Sequence, residues 1–166
     1  MTALSPQPYE DTDCHGQRDA EERLALAVTL CNARGARLTK MRLLILEMLW
    51  QERRPTGAYK LVEALNEQRA DPVGPPTVYR ALEFLMKQGL VTKIESRNAY
   101  IPCAHPERSH ICLFFLCDSC GSSDEVEDRK LERLIAENAV RLGFQANRRV
   151  LEVEGTCKRC LAEGDL

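Results

Sequence analysis

Long apolar runs are missing from this 166-residue chain, and none approaches the roughly 18 residues of a membrane span. A protein anchored by transmembrane helices is therefore excluded as a reading. The opening stretch MTALSPQPYEDTDCHGQRDAEE lacks both the basic start and the apolar core of a secretory signal. The expectation is a cytoplasmic protein, in which disulfides are rare and thiols stay reduced or bind metal. The zinc-deaminase signature, H-x-E joined to P-C-x-x-C, is also missing, since no C-x-x-C here follows a proline. A hydrolase with Glu125 as general base has nothing else to rest on, so the chain is read as neither an enzyme nor a binder of a small-molecule substrate. Overall charge is nearly absent as well, at −2, but it is unevenly spread. Residues 1–33 carry 2 basic and 6 acidic side chains (−4), residues 34–100 carry 12 and 7 (+5), and residues 101–166 carry 9 and 12 (−3). A basic middle third in an otherwise acidic chain fits one surface turned toward polyanionic phosphate.

Cysteine is what the sequence has in quantity. The stretch CAHPERSHICLFFLCDSC, Cys103 to Cys120, holds four of the eight cysteines and two of the three histidines. Its terminal C-x-x-C, Cys117 and Cys120, is matched after a gap of 36 residues by Cys157 and Cys160. Two residues between cysteines let a tight turn aim both sulfurs at one point, so two such knuckles supply four thiolates to one tetrahedral Zn²⁺. Disulfides or a redox pair are the alternatives for the same residues.

Upstream, residues 1–18 mix Pro, Asp, Gln and Gly without periodicity and read as a mobile tail, within which Cys14 and His15 are incidental neighbours. From Asp19 an amphipathic helix opens with acids, carries Cys31 as a buried apolar residue and stops near Gly35. Thr39 caps a second helix with Met41, Leu44, Ile45, Met48 and Leu49 on one stripe, ended before Pro55. A third helix spans about 56–69, with Leu61, Val62 and Leu65 on its apolar face and Tyr59 near its start. Pro76 opens a fourth, TVYRALEFLMKQ, which Gly89 ends. Val78, Leu82, Leu85 and Met86 face inward there, and Thr77, Arg80, Glu83 and Lys87 point away. Two short helices with a turn between them, the second presenting Thr77, Tyr79 and Arg80 at its N-terminal end, form the pattern of a helix-turn-helix. VTKIE and AYI around Ser96-Arg97-Asn98 add a β-hairpin, which makes a winged helix. Arg80 is the candidate for a bidentate guanine contact, and Tyr59 and Arg97 are candidates for phosphate contacts.

The predicted fold is α+β: a tail over 1–18, a winged-helix DNA-binding unit over 19–102, and an α/β metal-binding dimerisation unit over 103–166. In the last unit Ile111–Leu116 reads as a buried strand and residues 125–127 as a second. A helix over 128–142 follows, with Leu131, Leu134, Ile135 and Leu142 inward, and RRVLEVEG is a final strand. So small a unit has little core, and zinc and dimerisation would supplement it.

With four thiols assigned, Cys103, His105, His110, Cys112 and Glu125 remain close in sequence to the knuckle. Mixed S, N and O donors suit zinc held exchangeably. Cys103 lies at the exit of the wing, and His110 and Glu125 lie beyond it, so a metal held by all three would pin one unit against the other. Cys112, inside the strand run, reads as core.

These residues resemble the ferric uptake regulator family, and within it the zinc uptake branch. The carriers are RLTKMRLLILEML (Arg37–Leu49), PPTVYRALEFLMKQGLV (Pro75–Val91), YIPCAHPERSH (Tyr100–His110), FLCDSCG (Phe115–Gly121) and EVEGTCKRC (Glu152–Cys160). The resemblance covers about Ala20 to Cys160. It implies a homodimeric, zinc-responsive repressor of zinc-uptake genes that binds a pseudo-palindromic double-stranded DNA operator. It also implies two Zn²⁺ per chain: a structural one on Cys117, Cys120, Cys157 and Cys160, and a regulatory one on Cys103, His110 and Glu125. Iron sensors of the family carry H-H-x-H-x-x-C before the first knuckle, whereas here His110 lies seven positions before Cys117. The zinc branch commonly has a histidine just after the recognition helix, where this chain has Thr92, so the fourth donor is open between water and His105. A sensor of iron or manganese, or a thiol redox sensor, is the rival reading.

Overall fold

The computed structural model describes residues 20–52, 54–108, 110–147 and 149–164. The tail with Cys14 and His15 lies outside the described residues. Helix α1 (Ala20–Ala33) and helix α2 (Lys40–Gln51) are joined by a turn through Gly35 at φ +64°. Thr39 caps α2, its hydroxyl accepting from the Arg42 N–H at 3.5 Å. Two residues, Thr56–Gly57, form a short strand β1 ahead of helix α3 (Ala58–Glu67). Helix α4 (Pro75–Lys87) begins with both prolines, and its next amide, Thr77 N–H, donates to the Gly74 carbonyl at 3.0 Å. Strands β2 (Val91–Ile94) and β3 (Ala99–Pro102) make the hairpin. Strand β1 extends it into a three-stranded antiparallel sheet, with Thr56 opposite Tyr100.

The second sheet is built from β4 (Cys112–Cys117), β5 (Ser123–Val126) and β6 (Val150–Gly155), in the order β5-β4-β6. Strand β5 pairs antiparallel to β4, and β6 pairs parallel to it after helix α5 (Arg129–Arg141) has carried the chain across. A short helix α6 (Lys158–Glu163) follows the second knuckle.

Two apolar clusters hold these parts. The larger packs Ala27 and Cys31 of α1, Ile45, Leu46 and Leu49 of α2, Leu61 and Leu65 of α3, and Val78, Leu82 and Leu85 of α4. The smaller joins Ile94 and Ile101 of the hairpin to Cys112, Phe114 and Leu116 of β4. The hairpin therefore has two neighbours: its own helices on one side and the second sheet on the other.

Three expectations are corrected here. Strand β1 was not anticipated, because two residues carry no periodic signal. The helix over 128–142 does form, capped by Asp128, whose carboxylate accepts from the Lys130 and Leu131 amides, but it buries none of its residues. Leu134 and Leu142, expected inward, are 55% and 76% exposed. The amphipathic stripe is real, with Leu131 and Ile135 half-buried, but among the described residues nothing buries it. The last helix, α6, was also unforeseen.

Candidate metal centres and nucleic-acid face

Cys117 ends β4 and Cys120 closes the turn behind it, where Gly121 adopts φ +72° and its amide reaches back to the Cys117 carbonyl at 3.0 Å. Because β6 runs parallel to β4, its end delivers Cys157 and Cys160 beside that turn. The four Sγ atoms lie within 4.8 Å of one another, with Cys117–Cys160 at 3.9 Å and Cys120–Cys157 at 3.8 Å. A tetrahedron with Zn–S bonds of about 2.3 Å has S···S edges of about 3.8 Å, so the donor set has the size of the ion. The thiols are free, which removes the disulfide alternative for this arrangement. The surroundings favour the thiolate at Cys117 and Cys120, whereas burial, and then hydrogen bonds with the other thiols, push Cys160 up to about 12. Backbone N–H groups of Cys120 and Cys157 aim at Cys117 Sγ and hold its pKa below the usual thiol range. The Ser122 hydroxyl, 3.1 Å from Cys120 Sγ, helps pull that thiol down to about 6.

The second cluster joins Cys103, His110, Cys112 and Glu125, again with donor atoms within 4.8 Å of one another. Cys103 is placed just past β3, its N–H donating to the Leu90 carbonyl behind α4 at 3.0 Å. Glu125, buried on β5, turns Oε1 toward His110 Nε2 at 3.3 Å and accepts from the Ala104 amide through Oε2 at 3.2 Å. His110 Nε2 is 3.6 Å from each of Cys103 Sγ and Cys112 Sγ. Tetrahedral zinc with bonds of about 2.3 Å to sulfur and 2.0–2.1 Å to nitrogen and oxygen gives S···N edges of about 3.6 Å and an N···O edge of about 3.3 Å. His110 Nδ1 sits 3.1 Å from the Arg108 carbonyl, which makes it the donor there and leaves the Nε2 lone pair for the cluster. Without a metal the protons are shared. A hydrogen bond from Cys103 draws Cys112 down to about 6 while the same bond and burial push Cys103 up, and hydrogen bonds to Cys112 and then Glu125 raise His110 to about 11. A buried carboxylate, two thiols and an imidazole converging on one point is an arrangement that a divalent cation satisfies.

The fourth donor atom that the structure brings to this cluster is that of Cys112, which is also buried in the smaller core, as its place in the strand run leads one to expect. His105, the other candidate for that place, is not among the grouped donors. Its Nδ1 and Nε2 each lie 3.4 Å from a carboxylate, Glu107 and Glu127 respectively. Thr92 is buried beside the cluster with Oγ1 3.7 Å from Cys112 Sγ, close enough to orient the thiolate. A signal for Cys112 was available. Residues two apart in extended chain share a face, so the H-x-C of His110 and Cys112 brings both side chains to one side.

On the opposite side of the first sheet, Thr77 and Arg80 of α4 are exposed, as is Tyr59 at the start of α3. Tyr79 is half-buried against the larger core. Arg97 does not join this face. Its guanidinium donates to the Cys117 carbonyl at 2.9 Å and to Asp118 Oδ1 at 3.4 Å, so the residue expected at phosphate is engaged at the knuckle.

The chain matches the model of the ferric uptake regulator family over residues 33–154. It is 38% identical over 143 residues to a zinc uptake regulation protein of Escherichia coli (strain K12), covering 85% of this chain and 82% of that one. Among solved structures, it superposes on a zinc uptake regulator complexed with zinc and DNA with a TM-score of 0.81, at 34% identity over 90% of this chain and all of the other. It is also similar to XcZur in two forms, each covering 86% of this chain and 98% of XcZur. The holo form gives a TM-score of 0.74 at 41% identity, and the apo form 0.51 at 39%. The chain belongs to the ferric uptake regulator family.

Proposed function

We propose that this member of the ferric uptake regulator family is a zinc-responsive transcriptional repressor, not an enzyme, that binds a pseudo-palindromic operator as a zinc-loaded homodimer in the cytoplasm. In this reading residues 19–102 carry DNA binding and residues 103–166 carry dimerisation. Cys117, Cys120, Cys157 and Cys160 hold a structural Zn²⁺, and Cys103, His110, Cys112 and Glu125 hold a regulatory one. The regulated genes are those of zinc uptake and homeostasis.

The observation that carries the reading is the origin of the second donor set. Cys103 stands at the exit of the hairpin, and the other three donors stand on the second sheet and the loop before it. A tetrahedral ion there supplies four directional bonds across the junction. Cys103 then holds the winged helix to the sheet by a side chain as well as by the backbone, and Arg34 adds to this by donating to the Gln88 carbonyl at the end of α4 and to the Pro106 carbonyl in the ligand-bearing loop. Closer similarity to the holo and DNA-complexed relatives than to the apo one supports an arrangement competent for DNA. A 100-fold change in DNA affinity needs only about 2.7 kcal/mol of coupling between the sites.

Dimerisation is supported by the open apolar stripe of α5 and by Phe115 and Val153, which are paired across β4 and β6 and exposed. At the DNA, α4 would enter the major groove, and two-fold symmetry would set half-sites about one helical turn apart. Two sulfur donors disfavour iron or manganese as the regulatory metal, since those ions prefer harder ligands. The test is metal analysis before and after mild chelation, beside a titration of DNA binding against free zinc. One resistant and one exchangeable zinc per chain, with binding that follows the exchangeable one, is the expected result. DNA binding indifferent to zinc would overturn the reading.

A further inference from the structure

The turn between β2 and β3 is grasped from the second sheet at two points. On β6 the Glu152 carboxylate accepts from two consecutive amides, Glu95 N–H at 2.8 Å on Oε1 and Ser96 N–H at 3.1 Å on Oε2. Two residues along, Arg97 reaches in the other direction, to the Cys117 carbonyl and to Asp118. Beneath them Ile94 and Ile101 are buried against Phe114 and Leu116. Charged groups thus meet backbone partners from both sides of the junction, over a dry contact, and charge-assisted bonds of this kind are among the stronger ones. None of these residues belongs to either cysteine cluster except Cys117, and there only the carbonyl is used.

We infer that Glu152 and Arg97 form a latch that holds the wing turn on the zinc knuckle and so sets, together with the regulatory metal, the fraction of molecules in the DNA-binding arrangement. The inference rests on the repressor reading for its effect on DNA, though not for the latch itself. It makes both residues positioning residues and removes Arg97 from the DNA face. The latch and the regulatory site act on one equilibrium: each is formed only when the wing lies on the second sheet, so weakening the latch has to be compensated by more zinc. It also gives the structural knuckle a part in DNA binding, because the carbonyl that Arg97 uses belongs to one of its cysteines.

The experiment uses the full chain and a duplex selected by the zinc-loaded parent from a random-sequence library. Glu152→Ala and Arg97→Ala are expected to raise the free zinc needed for half-maximal binding by about tenfold each, the scale of a lost hydrogen bond to a charged group. Zinc content at saturation and the salt dependence of binding should stay as in the parent. Glu152→Ala is the sharper arm, because removing a negative charge near DNA by simple electrostatics would tighten binding, whereas losing the latch weakens it. An unmoved or lowered zinc midpoint for Glu152→Ala overturns the proposal. So does an Arg97→Ala protein whose salt slope falls by about one while its midpoint holds, which would make Arg97 a phosphate contact after all. Hydrogen exchange at the Glu95 and Ser96 amides separates this from the repressor reading. Protection in the parent that drops in Glu152→Gln supports the latch even if no duplex responds to zinc, and unprotected amides in the parent refute it.

Discussion

The two cysteine-bearing clusters are nearly the same size, yet they join different things. In the first, the four donors lie at the end of β4, in the turn behind it, and at the cap and first turn of α6 just past β6, beside strands that would lie side by side in any case. In the second, Cys103 comes from the far side of the junction and is held there by the Leu90 carbonyl, while its partners arrive from the loop, β4 and β5. A cluster whose donors all come from one unit stabilises that unit first. A cluster across a junction reports whether the junction is formed, and an ion that binds it shifts that equilibrium. The donor sets agree with this division of labour: four sulfurs, with amides and a hydroxyl directed at them, suit permanent retention, and a mixed set with a buried carboxylate suits exchange.

The comparison breaks most visibly if the first cluster is opened. Cys117→Ser or Cys160→Ser should lose the resistant zinc and with it the cooperative unfolding of the second sheet, since apparent zinc binding free energies of about 10–16 kcal/mol act as folding free energy in such sites. Metal analysis and thermal denaturation read this, and a variant with full zinc and the parent's melting curve would erase the distinction between the clusters. Cys103→Ser should keep that zinc and fold, but lose about 100-fold or more in zinc-dependent DNA binding, the range expected for coupling between two sites. A parental response from Cys103→Ser would leave regulation without a site.

A smaller change separates the two candidates for fourth donor. Cys112→Ser should raise the zinc midpoint for DNA binding by at least the roughly 10- to 100-fold that loss of an outer-shell partner of a ligand costs. His105→Ala, which removes only contacts to Glu107 and Glu127, should leave the midpoint where it is. The reverse pattern in a metal buffer would restore His105 to the site. Smallest in scale are the DNA contacts. Arg80→Ala should cost about 1–3 kcal/mol on the selected duplex and relax its sequence preference. Tyr59→Ala should weaken all duplexes alike, and equal losses on selected and random DNA for Arg80→Ala would make Arg80 a phosphate contact.

What could be read from the sequence, and what could not, follows the range of the interactions. Thr39 capping α2, Pro76 in the first turn of α4 and the two C-x-x-C turns are encoded within four residues of one another, and each was legible; the cap by Asp128 is as local but was read only as the helix's first residue. The α+β class and the winged helix followed from their order. Strand β1 exists only because Thr56 finds Tyr100, and Cys112 joins the second cluster only because β4 lies beside β5 and the wing exit, so neither had a local mark beyond the spacing to His110. Arg97 looked like a phosphate contact because a basic residue at a wing tip has that role in general. In this structure its guanidinium is engaged by the carbonyl of Cys117, a partner twenty residues away that no local pattern marks. The stripe expected of α5 is correct as a pattern, but among the described residues no surface buries it.

The two prolines at the head of α4 have a consequence for how this helix meets DNA. A helix N-terminus ordinarily offers several free amides and grips phosphate with them. Pro75 and Pro76 have no N–H to offer, and the next amide, that of Thr77, is already given to Gly74. The end of the helix keeps its positive dipole but is blunt as a hydrogen-bonding tool. In the proposed reading anchoring then falls to side chains, Thr77 and Arg80 of this helix with Tyr59 of α3, and a helix held by side chains alone can be tilted or slid by small movements of the unit that carries it. On the proposed reading, weak grip at the helix tip is what would make an angle set by the metal matter.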